Sequence, residues 1–291
     1  MTNNLNFDII EFGWDFNHPT DILPQNVKMI IFGENFIQPI GVLPQSLHTL
    51  VFGYRFNQSI GILPHNLQIL SFDDQFNQQI DNLPPNLKEL TFGKNFNQPI
   101  RAFPHTLQTL IFGYGFNRPT GILPPYLQTL IFGQNFNRPT GVLPQSLNKL
   151  VFGWEFNQQI GLLLHNLHTL SFYGNFNQPI GQLPPNVRSL KFSNNFNQPI
   201  LLLPQSLHTL EFGYYFNQPI TLPQNLQTLI FGCRFNQPIQ LPPTLHALVL
   251  GQKFSQPIEM LPDGLCTLRV SEKYIYLNTL RNYPKLKIFF Y

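Results

Sequence analysis

The sequence predicts a mainly β protein, a parallel-sheet solenoid of about thirteen twenty-residue repeats over 1–270 with a short C-terminal cap over 271–291. Three observations predict it. Leu-Pro recurs at 23/24, 43/44, 63/64, 83/84, 123/124, 143/144, 183/184 and 203/204, then at 222/223, 241/242 and 261/262 after two one-residue deletions. Charged residues make up only 11% of the chain, against roughly 25% in an ordinary soluble domain. The 27 Pro and 19 Gly interrupt every stretch long enough to make a helix through the repeat.

One unit, 43–62, reads LPQSLHTLVFGYRFNQSIGI, with apolar residues at Leu43, Leu47, Leu50, Phe52, Phe56 and Ile60. Leu50 and Phe52 flank Val51 with a period of two, which predicts a short strand with those two side chains inward. Gly53 follows and permits a turn, and Pro44 marks a second bend. Both deletions fall between the Ile of NQPI and the next Leu-Pro, so that segment reads as a loop. Six large apolar side chains cannot offset the entropy of ordering twenty residues, so a lone repeat cannot fold. Stacked coils supply the missing strand partners and cover each other's core.

Two columns, from Phe12 to Phe231 and from Phe16 to Phe254, take 25 of the 29 Phe. The aromatic excess is therefore a ladder inside the stack and not a cofactor pocket. Asn17, Asn57, Asn77, Asn97, Asn117, Asn137, Asn157, Asn177, Asn197, Asn217 and Asn236 form another column. An amide both donates and accepts, so this column reads as a buried ladder serving the turn backbone of adjacent coils.

The line LPxxLxxLxFGxxFNQPI resembles the FNIP repeat, itself similar to leucine-rich repeats, over about residues 7–270. The resemblance implies a solenoid used for protein binding. The family, found mainly in amoebae and giant viruses, often carries an N-terminal F-box that docks a ubiquitin-ligase scaffold. Here Phe7, Ile10 and Phe12 already occupy the columns of Leu47, Leu50 and Phe52, with six residues before them. The function expected is a non-catalytic interaction scaffold. The alternative is a substrate-recognition adaptor of an F-box-type ligase, working without an F-box of its own.

If Leu50 and Phe52 point inward, Thr49 and Val51 face out, and the sheet presents Thr, Ser, Ile and Val with scattered Lys149, Lys191, Glu89 and Glu211. Just after the turn Gly, one column varies: Trp14, Glu34, Tyr54, Asp74, Lys94, Tyr114, Gln134, Trp154, Asn194, Tyr214. Aromatic and Arg side chains are the usual anchors of an interface, so Trp14, Tyr54, Arg55, Tyr114, Trp154 and Tyr214 are the expected partner contacts. Asp74 and Lys94, in adjacent coils, are expected to form an exposed ion pair.

No cofactor, metal or catalytic residue is expected. The chain contains no HExxH, no paired CxxC, no GxSxG and no phosphate loop. His48, His168, His208 and His246 share a column, but the last three stand two coils apart, roughly 10 Å at strand spacing. Asp73 and Asp74 are the one adjacent carboxylate pair. The net charge of +3 is too small to predict nucleic-acid binding.

No secretory signal and no 18-residue apolar run is visible, so an intracellular, cytoplasmic protein without membrane spans is expected, in host cytoplasm if viral. Cys233 and Cys266 read as unpaired thiols.

The cap segment SEKYIYLNTLRNY reads as a short helix from Ser271 to Pro284, followed by a last strand in LKIFFY. Residues 265–291 carry +4, leaving −1 for the rest. At the other end the first strand has no cap, which predicts self-association through the N-terminal edge.

Overall fold

The computed structural model describes residues 8–20, 23–163, 165–277, 283 and 286–291. It divides into two units, 1–147 and 148–291. The first holds β1 (Ile9–Glu11), β2 (Met29–Ile31), β3 (Thr49–Val51), β4 (Ile69–Ser71), β5 (Glu89–Thr91), β6 (Thr109–Ile111) and β7 (Thr129–Ile131). The second holds β8 (Lys149–Phe152), β9 (Thr169–Phe172), β10 (Ser189–Lys191), β11 (Thr209–Glu211), β12 (Thr228–Ile230), β13 (Ala247–Val249), β14 (Thr267–Val270) and β15 (Lys287–Phe290). Within each unit consecutive strands pair in parallel, and register joins like residues, as in Leu50 with Leu70 and Leu210 with Leu229. The second pairing spans a deletion, so the lost residue came out of the loop and not the ladder.

The coil bends at two places, and backbone hydrogen bonds three residues apart close the Leu-Pro turn and several of the Gly turns. In the Leu-Pro turn the Leu47 N–H donates to Pro44 C=O at 3.1 Å, and in the Gly turn the Phe56 N–H donates to Gly53 C=O at 3.2 Å. Pro, which has no N–H to lose at this place, serves as acceptor. The Gly turns of successive coils pile up so closely that a Cβ at Gly133 would overlap the Gly113 carbonyl. Where Tyr173 takes the Gly position, the next residue, Gly174, makes the bend at φ 62°.

Five of the six apolar columns form the core. Leu47, Leu50 and Phe56 are fully buried, with Leu43 and Phe52 nearly so. The Phe52 ring stacks 4.0 Å from Phe56 in its own coil and 5.3 Å from both Phe32 and Phe72 in the neighbouring coils, within the offset-stacking range. The sixth column departs from expectation. Ile60, Ile100 and Ile160 are half-buried, because the chain there has begun to leave the core for the loop, whereas Ile80 and Ile180 stay buried. Thr120 and Thr140 replace the Ile beside Arg118 and Arg138 and are buried.

The Asn column forms its ladder, but at half-burial or more exposed, not within the core. Within each unit the Asn Oδ1 accepts the backbone N–H of the residue at the same place in the next coil, at 2.9 Å from Asn77 N–H to Asn57 and 2.9 Å from Asn197 N–H to Asn177. Ile37 and Ser255 make that bond to Asn17 and Asn236. The following Gln adds a donor, as Gln98 Nε2 does to Asn77 Oδ1 at 3.2 Å.

A second polar rung lies at the Leu-Pro turn. Ser46 Oγ lies 2.7 Å from Gln25 C=O and 2.6 Å from Val27 C=O, and Thr106, Ser146 and Thr244 repeat this pattern. Asn66, Asn86, Asn186 and Asn225 reach the preceding coil through Nδ2 instead.

The helix expected from Ser271 does not start there: 271–276 form turns, and a 3₁₀ turn is entered only at Leu277. Ser271 C=O accepts the Tyr274 N–H at 3.0 Å in a turn like those of the repeats, and Tyr274 enters the second Phe column, 5.8 Å from Phe254. Burying that ring outweighs the local helix signal. The rest of that segment, like Phe7, lies outside the described residues. The expected last strand forms as β15, parallel to β14. No helix among the described residues is long and apolar enough to cross a membrane.

Candidate protein-binding surface

The strand residues beside Leu50 and Phe52 are half-buried on the outer face of the sheet. There Lys191 and Glu211, in facing register, pair at 2.6 Å, and the Lys191 ammonium lies 5.1 Å from the Tyr173 ring centre.

The variable column stands on the shoulder of the Gly turn. Trp14 is 70% exposed, while Tyr54, Tyr114, Trp154 and Tyr214 are between 42% and 46% exposed. Their backbones are pinned all the same. The carbonyls of Trp14, Tyr54, Tyr114, Trp154 and Tyr214 accept the N–H of Asn35, Gln75, Asn135, Asn175 and Arg234, at 3.1, 3.0, 2.8, 2.7 and 3.0 Å. Each aromatic is therefore held at a fixed height by the next coil while its ring projects into solvent. Arg55 is exposed beside Tyr54, and its N–H donates to Glu34 C=O at 2.9 Å.

The six residues do not form one cluster. In the first unit Trp14 and Tyr54 stand two coils apart and Tyr114 three coils further on, with Glu34, Asp74 and Lys94 between them. In the second, Trp154 and Tyr214 are also three coils apart.

Asp74 and Lys94 do not pair through their side chains. The Asp74 carboxylate accepts the Lys94 backbone N–H at 3.0 Å, and the Lys94 ammonium turns to the Tyr114 ring, 5.7 Å from its centre. An oriented backbone donor holds the carboxylate at less entropic cost than a flexible ammonium would.

Two features of the surface were not read from the sequence. Tyr215 and Arg234 join Tyr214: the Arg234 guanidinium lies 4.7 Å from the Tyr215 ring centre and 5.8 Å from that of Tyr214, and the two rings meet edge to face at 4.8 Å. Their signal was the Arg55 column, which Tyr215 and Arg234 share. The second feature is the loop before Leu-Pro, where Val42, Ile62, Ile122 and Val142 are 85–93% exposed in the first unit. Leu162, Leu202 and Met260 occupy the same place in the second.

Two members of the histidine column are tied to backbone, while His48 Nδ1 is buried without a hydrogen-bond partner among the described residues. Nδ1 of His168 and His208 lie 2.7 and 2.6 Å from the carbonyl oxygens of Asn166 and Ser206.

Coils of one short parallel strand each, with a stacked apolar core and an outward row of variable side chains, define a leucine-rich-repeat-like β-solenoid. The chain belongs to the FNIP repeat family: the FNIP Repeat matches residues 16–55, 39–68, 76–115, 139–162, 176–215, 196–234, 216–245 and 235–273. Among solved structures it is similar to the giant-virus protein CroV588, described as a novel circular leucine-rich-repeat structure. Identity is 36% and the TM-score 0.75, over 91% of this chain and 50% of that one. The chain thus spans about half the length of that relative. YopM from Yersinia enterocolitica shares the fold at 24% identity and a TM-score of 0.62, over 88% of this chain and 63% of that one. YopM from Yersinia pestis does so at 23% and 0.62, over 92% and 76%. No curated protein sequence matches the chain.

Proposed function

We propose that this chain is a non-catalytic protein-interaction scaffold whose contact surface is the aromatic shoulder of the Gly turns, anchored by Trp14, Tyr54, Arg55, Tyr114, Trp154 and Tyr214. One observation carries the reading: large, exposed side chains stand on backbone that the next coil fixes by a hydrogen bond. A partner then meets anchors whose positions are already set, so binding costs little ordering entropy. Tyr and Trp suit the role because they offer much contact area for two rotatable bonds.

The test is affinity capture from the native cell, comparing the unaltered chain with Trp154→Ala/Tyr214→Ala and with Ile122→Ser/Val142→Ser, a control at still more exposed apolar residues. The scaffold reading expects a specific partner to be lost with the aromatic pair and retained with the loop pair. Equal recovery by all three, or loss only with the loop pair, would remove the aromatic shoulder as the contact surface. Ubiquitin-ligase subunits among the specifically retained proteins would identify the scaffold as a substrate adaptor.

A further inference from the structure

We infer that β1 of one copy of this chain adds in parallel register to the free edge of β15 of a second copy, joining copies head to tail. Among the described residues β1 pairs only with β2 and β15 only with β14. The ladder has a direction. Residues in the Thr49 and Val51 columns bond to the preceding coil, as in Thr49 N–H to Lys28 C=O at 3.0 Å and Phe32 N–H to Val51 C=O at 2.9 Å. By that pattern β1 turns the Ile9 N–H and the Glu11 C=O outward. The outer edge of β15 offers the complementary pair, the Leu286 C=O and the Phe290 N–H, since the Lys287 N–H is spent on Cys266 C=O. One more step of the same ladder joins them.

The side chains agree with the backbone. Ile288 and Phe290 register with Leu268 and Val270, and Ile10 and Phe12 with Ile30 and Phe32, so each end presents the same two core columns. Phe290 is 45% exposed and Phe12 half-buried, where an interior member such as Phe52 is 1% exposed.

Charge selects head to tail over head to head. Asp8, Glu11 and Asp15 are exposed at the β1 end, where the described residues 8–20 hold no Lys or Arg. Arg269, Lys273 and Lys287 are exposed at the β15 end, against the exposed carboxylate of Glu272 there. Asp8 already meets Lys28 at 3.2 Å, and Arg269 lies 4.4 Å beneath the Tyr291 ring, which leaves Glu11 and Lys287 as the diagonal neighbours across the joint. Such a heterologous contact repeats, giving a closed ring or an open chain of copies.

Light scattering after size exclusion tests this with two variants that each remove one outward donor at an edge that tolerates Pro, Ile9→Pro and Phe290→Pro. The unaltered chain is expected to exceed its 33.7 kDa monomer mass, and each variant alone to run as monomer. Mixed one to one, they have one good head and one good tail between them, so the mass should double and go no further. If Pro prevents folding, Glu11→Lys and Lys287→Glu take their places: each alone should weaken association, and the mixture should restore it. A monomeric unaltered chain at every concentration, or variants that still associate alone, would overturn the inference.

Discussion

Asn77 Oδ1 accepts the backbone N–H of Asn97 at 2.9 Å, and Asn97 Oδ1 in turn accepts that of Asn117 at 3.0 Å. Within each unit the column is a relay in which one coil's Asn side chain serves the coil that follows it. Replacing Asn97 by Ala leaves the Asn117 N–H without its acceptor in a half-buried turn. The expected loss is about 1–3 kcal/mol in denaturant unfolding. Asn97→Asp keeps an acceptor oxygen at the same reach and is expected to lose clearly less.

Core columns differ in what they tolerate. Phe92 is 2% exposed and stacks 3.8 Å from Phe96, so Phe92→Ala should cost about 3–5 kcal/mol. Leu250 already stands in this column, fully buried, so Phe92→Leu should cost far less than Ala. Equal losses in urea unfolding would mean that the ring is not packed between its neighbours.

Glycine is required at the turn and dispensable in the loop. Gly133→Ala drives a Cβ into the Gly113 carbonyl, at an expected cost of about 1–3 kcal/mol. Gly61 has open space around it and no positive φ. Gly61→Ala should be neutral or stabilise by up to about 1 kcal/mol through the unfolded chain. Thermal melts of the two variants give opposite or clearly unequal shifts on this account.

Tyr274 supplies a pH dependence. Burial pushes its phenol from 10.0 up to about 12, against the opposing effect of a backbone hydrogen bond from Ile258. The hydroxyl donates to Gln256 C=O at 2.9 Å. The folded state therefore holds the proton that the unfolded chain releases. The stabilisation is complete below pH 10 and is lost as pH rises from there through about 12. Unfolding of the second unit followed against pH should show this loss, and Tyr274→Phe should remove that part of it.

The repeat register was legible because Leu-Pro and the two Phe columns recur with an almost invariant period, and a parallel stack forces like residues opposite each other. Depth was not legible from regularity. A column of Asn is equally regular inside the core or on its rim, and the structure puts it on the rim because its partners are turn N–H groups. Ile60 was read as core by its chemistry, yet it lies where the chain leaves the core. The Ser271 helix signal was local, and at 271–276 it yields to turns that place Tyr274 beside Phe254. Of the contact surface, the exposure of Trp14 and its column followed from its place after the Gly. The stacking of Arg234 on Tyr215 did not, since it depends on side-chain direction across two coils.

Amide hydrogen exchange tests the central claim most directly, namely that each coil satisfies its backbone against its neighbour and so fixes the rows of outward side chains. Within each unit, amides of the strand (Ile69), the shoulder (Gln75), the Asn rung (Asn77) and the Leu-Pro turn (Leu67) are each hydrogen-bonded. The account predicts that all four exchange slowly and at similar rates. Slow exchange at Ile69 with open-chain rates at Gln75 and Asn77 would contradict it, because the aromatic shoulder would then rest on unfixed backbone.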